Sequence, residues 1–264
     1  MPDHISVSQI NLFLMCPLKY RFNYVDGLPK PFKPADLAFG SSIHAAVEWW
    51  HKHRVNGMGP EWRDMVRIFE ADMQAQSFDT LNFKNGDSLE SLLEKGKQLL
   101  AVYLKNFKGE AVRAVELPFR VPLIDPETGE TLDVPLDGYI DLIEADDTVV
   151  ELKTAAKVYS LIELVQHIQI TAYDYAFRWL YNRKPKLRID ILTKGNNPAM
   201  HSFELSRDEK SLVRFIHIAK AVLKAIQSGQ FYPNEGWQCP GASISRSARN
   251  GDHEERRHIC RSKK

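Results

Sequence analysis

Apolar positions recur at helical spacing through the first hundred residues and at strand spacing after them, so the chain divides by period alone. Ser8 stands where an N-cap is expected, and Ile10, Phe13 and Leu14 share one helical face up to Cys16-Pro17. After the Phe39-Gly40 break the spacing predicts a helix from about 41 to 53, then others over about 60–77 and 88–107. The last of these carries Leu89, Leu92, Leu93, Leu99, Leu100 and Leu104 at near-helical intervals. From Val112 to Lys153 the pattern turns to strands, punctuated by Asp125-Pro-Glu-Thr-Gly129 and by Ala145-Asp146-Asp147. A long helix is predicted over about 160–182, stopped by Lys184-Pro185. Strands follow at Arg188–Thr193 and His201–Leu205, and Ser206-Arg-Asp-Glu209 has capping-box spacing at the head of a helix to about Gln227. The fold class expected is α/β: a mixed sheet flanked by helices, with a helical N-terminal arm.

Composition narrows the class without naming a function. Of 264 residues, 44% are hydrophobic and 26% charged, which is too apolar for a disordered chain. No run reaches the roughly 18 apolar residues of a spanning helix, and no signal-peptide pattern opens the chain, so a cytoplasmic, soluble protein with no membrane partner is expected. Three cysteines, Cys16, Cys239 and Cys260, are too few for a disulfide framework. The formal charge is +1, but residues 241–264 hold seven basic and three acidic side chains, so that tail carries +4 and residues 1–240 carry −3. The tail reads as an irregular solvated terminus or as a contact for DNA phosphates. One domain over 1–240 is expected, with a helical part at 1–110 and a core at 111–230.

Chemistry concentrates in Leu136-Asp-Gly-Tyr-Ile-Asp141-Leu-Ile-Glu-Ala-Asp-Asp-Thr-Val-Val-Glu151-Leu-Lys153. As a hairpin with its loop at 145–147, Glu144 pairs with Thr148 and Asp141 lies opposite Glu151, with their Cβ atoms about 4.5–5.5 Å apart. Lys153, two residues on, projects from the same face as Glu151. Two acids and an amine at one spot suit a hard divalent cation beside a phosphate. An isolated Glu-x-Lys is more often a surface ion pair, and a one-residue slip breaks the opposition. His44, one turn into its helix with Glu48 four residues on, reads locally as a partly buried helix histidine. Gln169 and Tyr173 share a helix face.

In chain order, seven elements resemble the PD-(D/E)XK nuclease superfamily, in particular its RecB-like and CRISPR-associated exonuclease branch. They are Ser6-Val-Ser8-Gln9 with Cys16-Pro17 and Tyr20; Gly40 with His44 and Glu48; Gly138-Tyr-Ile-Asp141; Glu151-Leu-Lys153; Gln169 with Tyr173; Tyr232-Pro-Asn; and Cys239. The resemblance implies a restriction-endonuclease-like fold and cation-dependent hydrolysis of DNA, on single-stranded or frayed ends, with Mg²⁺ or Mn²⁺. It implies His44, Asp141, Glu151 and the Leu152 carbonyl as metal ligands, Lys153 as the catalytic lysine, and Gln169 and Tyr173 as DNA-positioning groups. It also implies a helicase, recombination or integrase protein as partner.

Relatives in this branch hold an iron–sulfur cluster with one N-terminal cysteine and three C-terminal ones. Cys16 and Cys239 match two positions, but Ala242 and Ala248 stand at the other two, and a [4Fe–4S] cluster needs four thiolates. Only Cys260 or His258 could substitute, so a complete cluster is not expected. Two readings remain: an active nuclease, or a DNA-binding or assembly subunit that keeps the fold.

Overall fold

The computed structural model describes residues 2–30, 32–78, 80–83, 86–107, 111–195 and 197–234. Helix α1 is Val7–Met15, and its cap is Ser6 rather than Ser8. The Ser6 hydroxyl accepts from Gln9 N at 3.2 Å, and the Gln9 side chain accepts from Ser6 N at 2.7 Å. That reciprocal box needs a long amide three residues on, which Ser6 has and Ser8 lacks. Pro17 opens α2 (Pro17–Tyr20), where its missing N–H has no helical partner to lose, and a π-helical turn, Arg21–Val25, follows.

Two-residue strands β1 (Lys33–Pro34) and β2 (Leu81–Asn82) pair in parallel. Between and after them come α3 (Ala35–Val55), α4 (Trp62–Gln76) and α5 (Leu89–Asn106). The main sheet comprises β3 (Val112–Val121), β4 (Leu136–Glu144), β5 (Thr148–Ala155), β6 (Lys186–Thr193) and β7 (Ala199–Leu205), hydrogen-bonded in that order. Within this sheet, among the described residues, only β5 and β6 run parallel, and helices α6 (Leu161–Val165) and α7 (Ile168–Tyr181) make the crossover that such a pair requires. Helix α8 (Glu209–Gln227) follows. This is the mixed, helix-flanked sheet that the periodicity implies.

Three boundaries differ from the sequence reading, each for a physical reason. Helix α3 begins at Ala35 and runs through Gly40, because that glycine serves packing rather than a break. A Cβ there would stand 3.0 Å from Thr154 Oγ1, so its absence lets α3 lie close to β5. The helix predicted over 160–182 is two helices with an extended residue, His167 (ψ 102°), opening the second. At the head of α8 the Asp208 carboxylate, not Ser206, accepts from Ser211 N at 2.9 Å.

Among the described residues the chain forms two compact units, 2–30 with 217–234, and 32–216. In the first, Phe13, Tyr20 and Phe231 form an aromatic cluster, with Tyr20 and Phe231 stacked at 6.4 Å. Leu18 N donates to Tyr232 O at 3.1 Å and Asn234 Nδ2 to Met15 O at 2.9 Å, which fastens the Tyr232-Pro-Asn segment beside the α1–α2 junction.

The second unit buries the stripe Ala35, Ala38, Phe39, Ile43, Ala46, Val47 and Trp50 of α3 against α4, α5 and the sheet residues Leu152 and Leu192. Each fully buried Phe, Ile or Leu here contributes about 1.5–3 kcal/mol. His44 and Glu48 lie at the margin of that stripe.

Candidate active site

The β4–β5 turn sets the register. Asp147 takes a left-handed backbone (φ 65°), and the Asp146 carboxylate accepts from Thr148 N at 3.1 Å. Leu142 then pairs with Val150 and Ile143 with Val149. One step further along the same register brings Asp141 beside Glu151. There a side chain enters the ladder, as Leu152 N donates to Asp141 Oδ2 at 2.8 Å.

A continuous chain of hydrogen bonds runs from Asp141 to Glu151 through α7. Tyr173 Oη donates to Asp141 Oδ1 at 2.9 Å, Gln169 Nε2 donates to Tyr173 Oη at 2.9 Å, and Lys153 Nζ donates to Gln169 Oε1 at 3.0 Å. Lys153 also forms an ion pair with Glu151. Gln169 and Tyr173, one turn apart, therefore hold the lysine and the aspartate in fixed relation.

On the other side of Asp141 lies His44, with Nδ1 3.8 Å from Asp141 Oδ2. His44, Asp141 and Glu116 each present a ligand atom within 4.8 Å of the others. They line, with Glu48 and Leu152, a cavity of about 10 Å³, room for roughly one water molecule or a cation. Glu151 is not in this close group, because its carboxylate is turned to Lys153.

The electrostatics are those of acids gathered away from water. Burial, then Asp141, lifts the Glu151 carboxyl to about 7, with Lys153 opposing. Burial raises Asp141 as well, against Lys153 and the bonds from Leu152 and Tyr173. Glu116 is pushed to about 7 by burial, then Asp141 and Glu48. Burial alone would lower the Lys153 ammonium, but Glu151 and Asp141 carry it above its usual value, so it stays charged. Burial, then Lys153, lowers His44, leaving a neutral imidazole. Apart from the Lys153 ammonium, the fully buried Glu151 oxygens have no hydrogen-bond partner. A neutral histidine beside several oxygen acids, one with buried and unsatisfied oxygens, is a donor set that fits a hard divalent cation.

Glu116 is the residue that sequence reasoning missed. It lies in β3 between Val115 and Leu117, which pair regularly with Leu142 and Ile140. Its own backbone is left-handed (φ 47°), a conformation glutamate rarely adopts, and no glycine or turn residue beside it signals this. A carboxyl pKa pushed up to about 7 at a strained backbone marks Glu116 as a candidate functional residue.

Cys16 is buried and free, in the first unit. Cys239, Cys260, His258, Ala242, Ala248 and the basic tail lie outside the described residues. Tyr20 serves hydrophobic packing, as its 1% exposure shows. Among the described residues no helix is long and apolar enough to cross a membrane.

The family model of the PD-(D/E)XK nuclease superfamily matches residues 4–243. The crystal structure of a protein described as "Putative exonuclease" from Eubacterium rectale superposes with a TM-score of 0.59 at 15% identity, covering 95% of this chain and 90% of that one. A second structure, SSO0001, aligns over 88% of this chain and 89% of that one at 14% identity, with a TM-score of 0.35. No curated protein matches.

Proposed function

The chain belongs to the PD-(D/E)XK nuclease superfamily, and from that premise we propose that it hydrolyses phosphodiester bonds of DNA with Mg²⁺ or Mn²⁺, working from single-stranded or frayed ends. The observation that carries this reading is the bonded path Asp141–Tyr173–Gln169–Lys153 beside the His44–Glu116–Asp141 group. His44, Asp141 and Glu116 would hold the cation, with the Leu152 carbonyl and Glu151 as further oxygens nearby. When bound, the cation supplies Lewis-acid polarisation of the phosphate and lowers the pKa of water.

The chain's own residues do the rest. Lys153 keeps its proton because two carboxylates face it, so it brings a positive charge to the negative charge that develops on the phosphoryl oxygens. Gln169 fixes its direction. Tyr173, whose hydroxyl is held far above its usual pKa by burial, then Glu151 and Asp141, remains a donor and keeps Asp141 aimed toward His44. Buried Glu151 anchors the ammonium from the opposite side.

Action from ends is supported by the sequence resemblance and by the description of the Eubacterium rectale protein. Incubating linear and closed-circular single-stranded DNA with the protein and Mn²⁺ tests it. Loss of the linear strand alone is expected, and equal loss of the circle would show internal cleavage instead. A strand merely retained without cleavage would favour the binding-subunit reading, which the alanines at 242 and 248 keep in view.

A further inference from the structure

Arg207, in the turn between β7 and α8, is only 4% exposed. We propose that it is a positioning residue of the active site, fixing the start of α7 and thereby the places of Gln169 and Tyr173. The proposal rests on the nuclease reading above.

Its guanidinium ties two oxygens that flank the α6–α7 break to the carbonyl of its own neighbour, Ser206. Nε donates to Thr171 Oγ1 at 2.8 Å, Nη2 to Leu164 O at 2.9 Å, and Nη1 to Ser206 O at 3.0 Å. Thr171 Oγ1 in turn donates to His167 O at 3.3 Å. No carboxylate among the described residues forms an ion pair with Arg207. Asp174 and Asp208 favour its charge from a distance, without offsetting the effect of burial.

A buried cation satisfied by neutral oxygens alone is costly, and an apolar residue would fill the space at less cost. What the charge secures is the start of α7, where the backbone bond across the break, His167 N to Leu164 O, is long at 3.4 Å. The Leu164 carbonyl belongs to the last turn of α6, where it accepts that long bond beside the shorter one from Arg207. His167 gives α7 no side-chain cap. Gln169 is the second residue of α7, in the turn of a helix most prone to fray, yet its amide must meet Lys153 at 3.0 Å and Tyr173 at 2.9 Å. A shift of about 1 Å in this turn would break the path, and misplacement of that size can cost about 100-fold in rate. Arginine suits the task where lysine does not, because its planar fork reaches three oxygens in divergent directions at once.

The test uses full-length Arg207→Met, Arg207→Lys and Thr171→Val proteins. Three quantities are measured: Mn²⁺-dependent hydrolysis of an end-labelled single strand, the thermal midpoint, and the side-chain amide resonance of Gln169, identified by its loss in Gln169→Ala. We expect kcat to fall about tenfold or more in Arg207→Met with KM within about twofold. Arg207→Lys should recover only part of the loss, and adding Gln169→Ala to Arg207→Met should bring no further loss, because both act through one contact. The Gln169 resonance should move in every folded Arg207 variant. Independent, multiplicative losses or an unmoved resonance would overturn the proposal. If Arg207→Met does not fold, Arg207→Lys and Thr171→Val carry the same comparison. A wild-type chain that cleaves nothing would refute the nuclease reading, and the Gln169 resonance would then decide the positioning claim alone.

Discussion

Gln169 Oε1 accepts a hydrogen bond from Lys153 Nζ at 3.0 Å, which fixes the orientation of the amide because its nitrogen is committed to Tyr173. Oxygen toward the lysine and nitrogen toward the tyrosine is the only arrangement that lets Tyr173 donate to Asp141. Gln169→Ala should therefore lower kcat by about 10–100-fold with little change in KM. Gln169→Glu should not rescue it, since it removes the donor to Tyr173. Steady-state kinetics on a labelled strand would check both, and wild-type kcat in Gln169→Ala would remove Gln169 from the site.

Glu116 presents a second testable tension. Its left-handed backbone costs about 1–2 kcal/mol relative to an ordinary conformation, and its carboxylate is held beside Asp141. Glu116→Gly should leave the metal-free protein as stable as before or more so, while weakening Mn²⁺ binding about tenfold or more. Calorimetric titration with Mn²⁺ alone, beside a thermal melt, reads both effects. Unchanged Mn²⁺ affinity would exclude Glu116 as a ligand.

Metal-free protein should lose stability as pH rises from about 5 to 8. Burial, then Asp141, raises Glu151 from its usual 4.5 to about 7. Between those values the folded state binds the proton more tightly than the unfolded chain, so the contribution is complete below about 4.5 and gone once pH passes about 7. For this fully buried group it amounts to about 3 kcal/mol, or a fall of about 6–12 °C in melting temperature. Glu151→Gln should reduce the slope without abolishing it, because Glu116 and Asp141 are also raised, and Mn²⁺ should restore the wild-type melt at pH 8. A melting temperature constant from pH 5 to 8 would contradict the assignment.

Gly96 separates fold from function. In an open helix, Gly→Ala stabilises by about 1 kcal/mol. Here a Cβ would lie 2.0 Å from the Phe69 ring, so Gly96→Ala should instead destabilise by about 1–3 kcal/mol. Chemical denaturation would show the sign, with the kcat of the folded fraction unchanged.

The parts of the site that were legible in the sequence are those governed by local rules. The period-2 alternation and the Ala145-Asp146-Asp147 turn suffice to place Asp141 beside Glu151, and helical spacing suffices to put Gln169 and Tyr173 on one face. Glu116 escapes because it is a left-handed residue inside an otherwise regular strand, which no local residue announces. Gly40 misled for the same reason, since a glycine chosen for closeness to Thr154 has the sequence appearance of a helix break. The split between α6 and α7 was hidden likewise, because the residue clamping it, Arg207, is far along the chain.

Lys153 and Asp141, we propose, belong to one cation-dependent hydrolytic site. End-labelled single-stranded DNA, incubated with Mn²⁺ or Mg²⁺ and with chelator as control, measures it directly when wild type is set beside Lys153→Ala and Asp141→Ala. Degradation by the wild type only with the cation present, reduced at least about 100-fold in both variants, is the result expected. Degradation by Lys153→Ala at the wild-type rate would contradict the account.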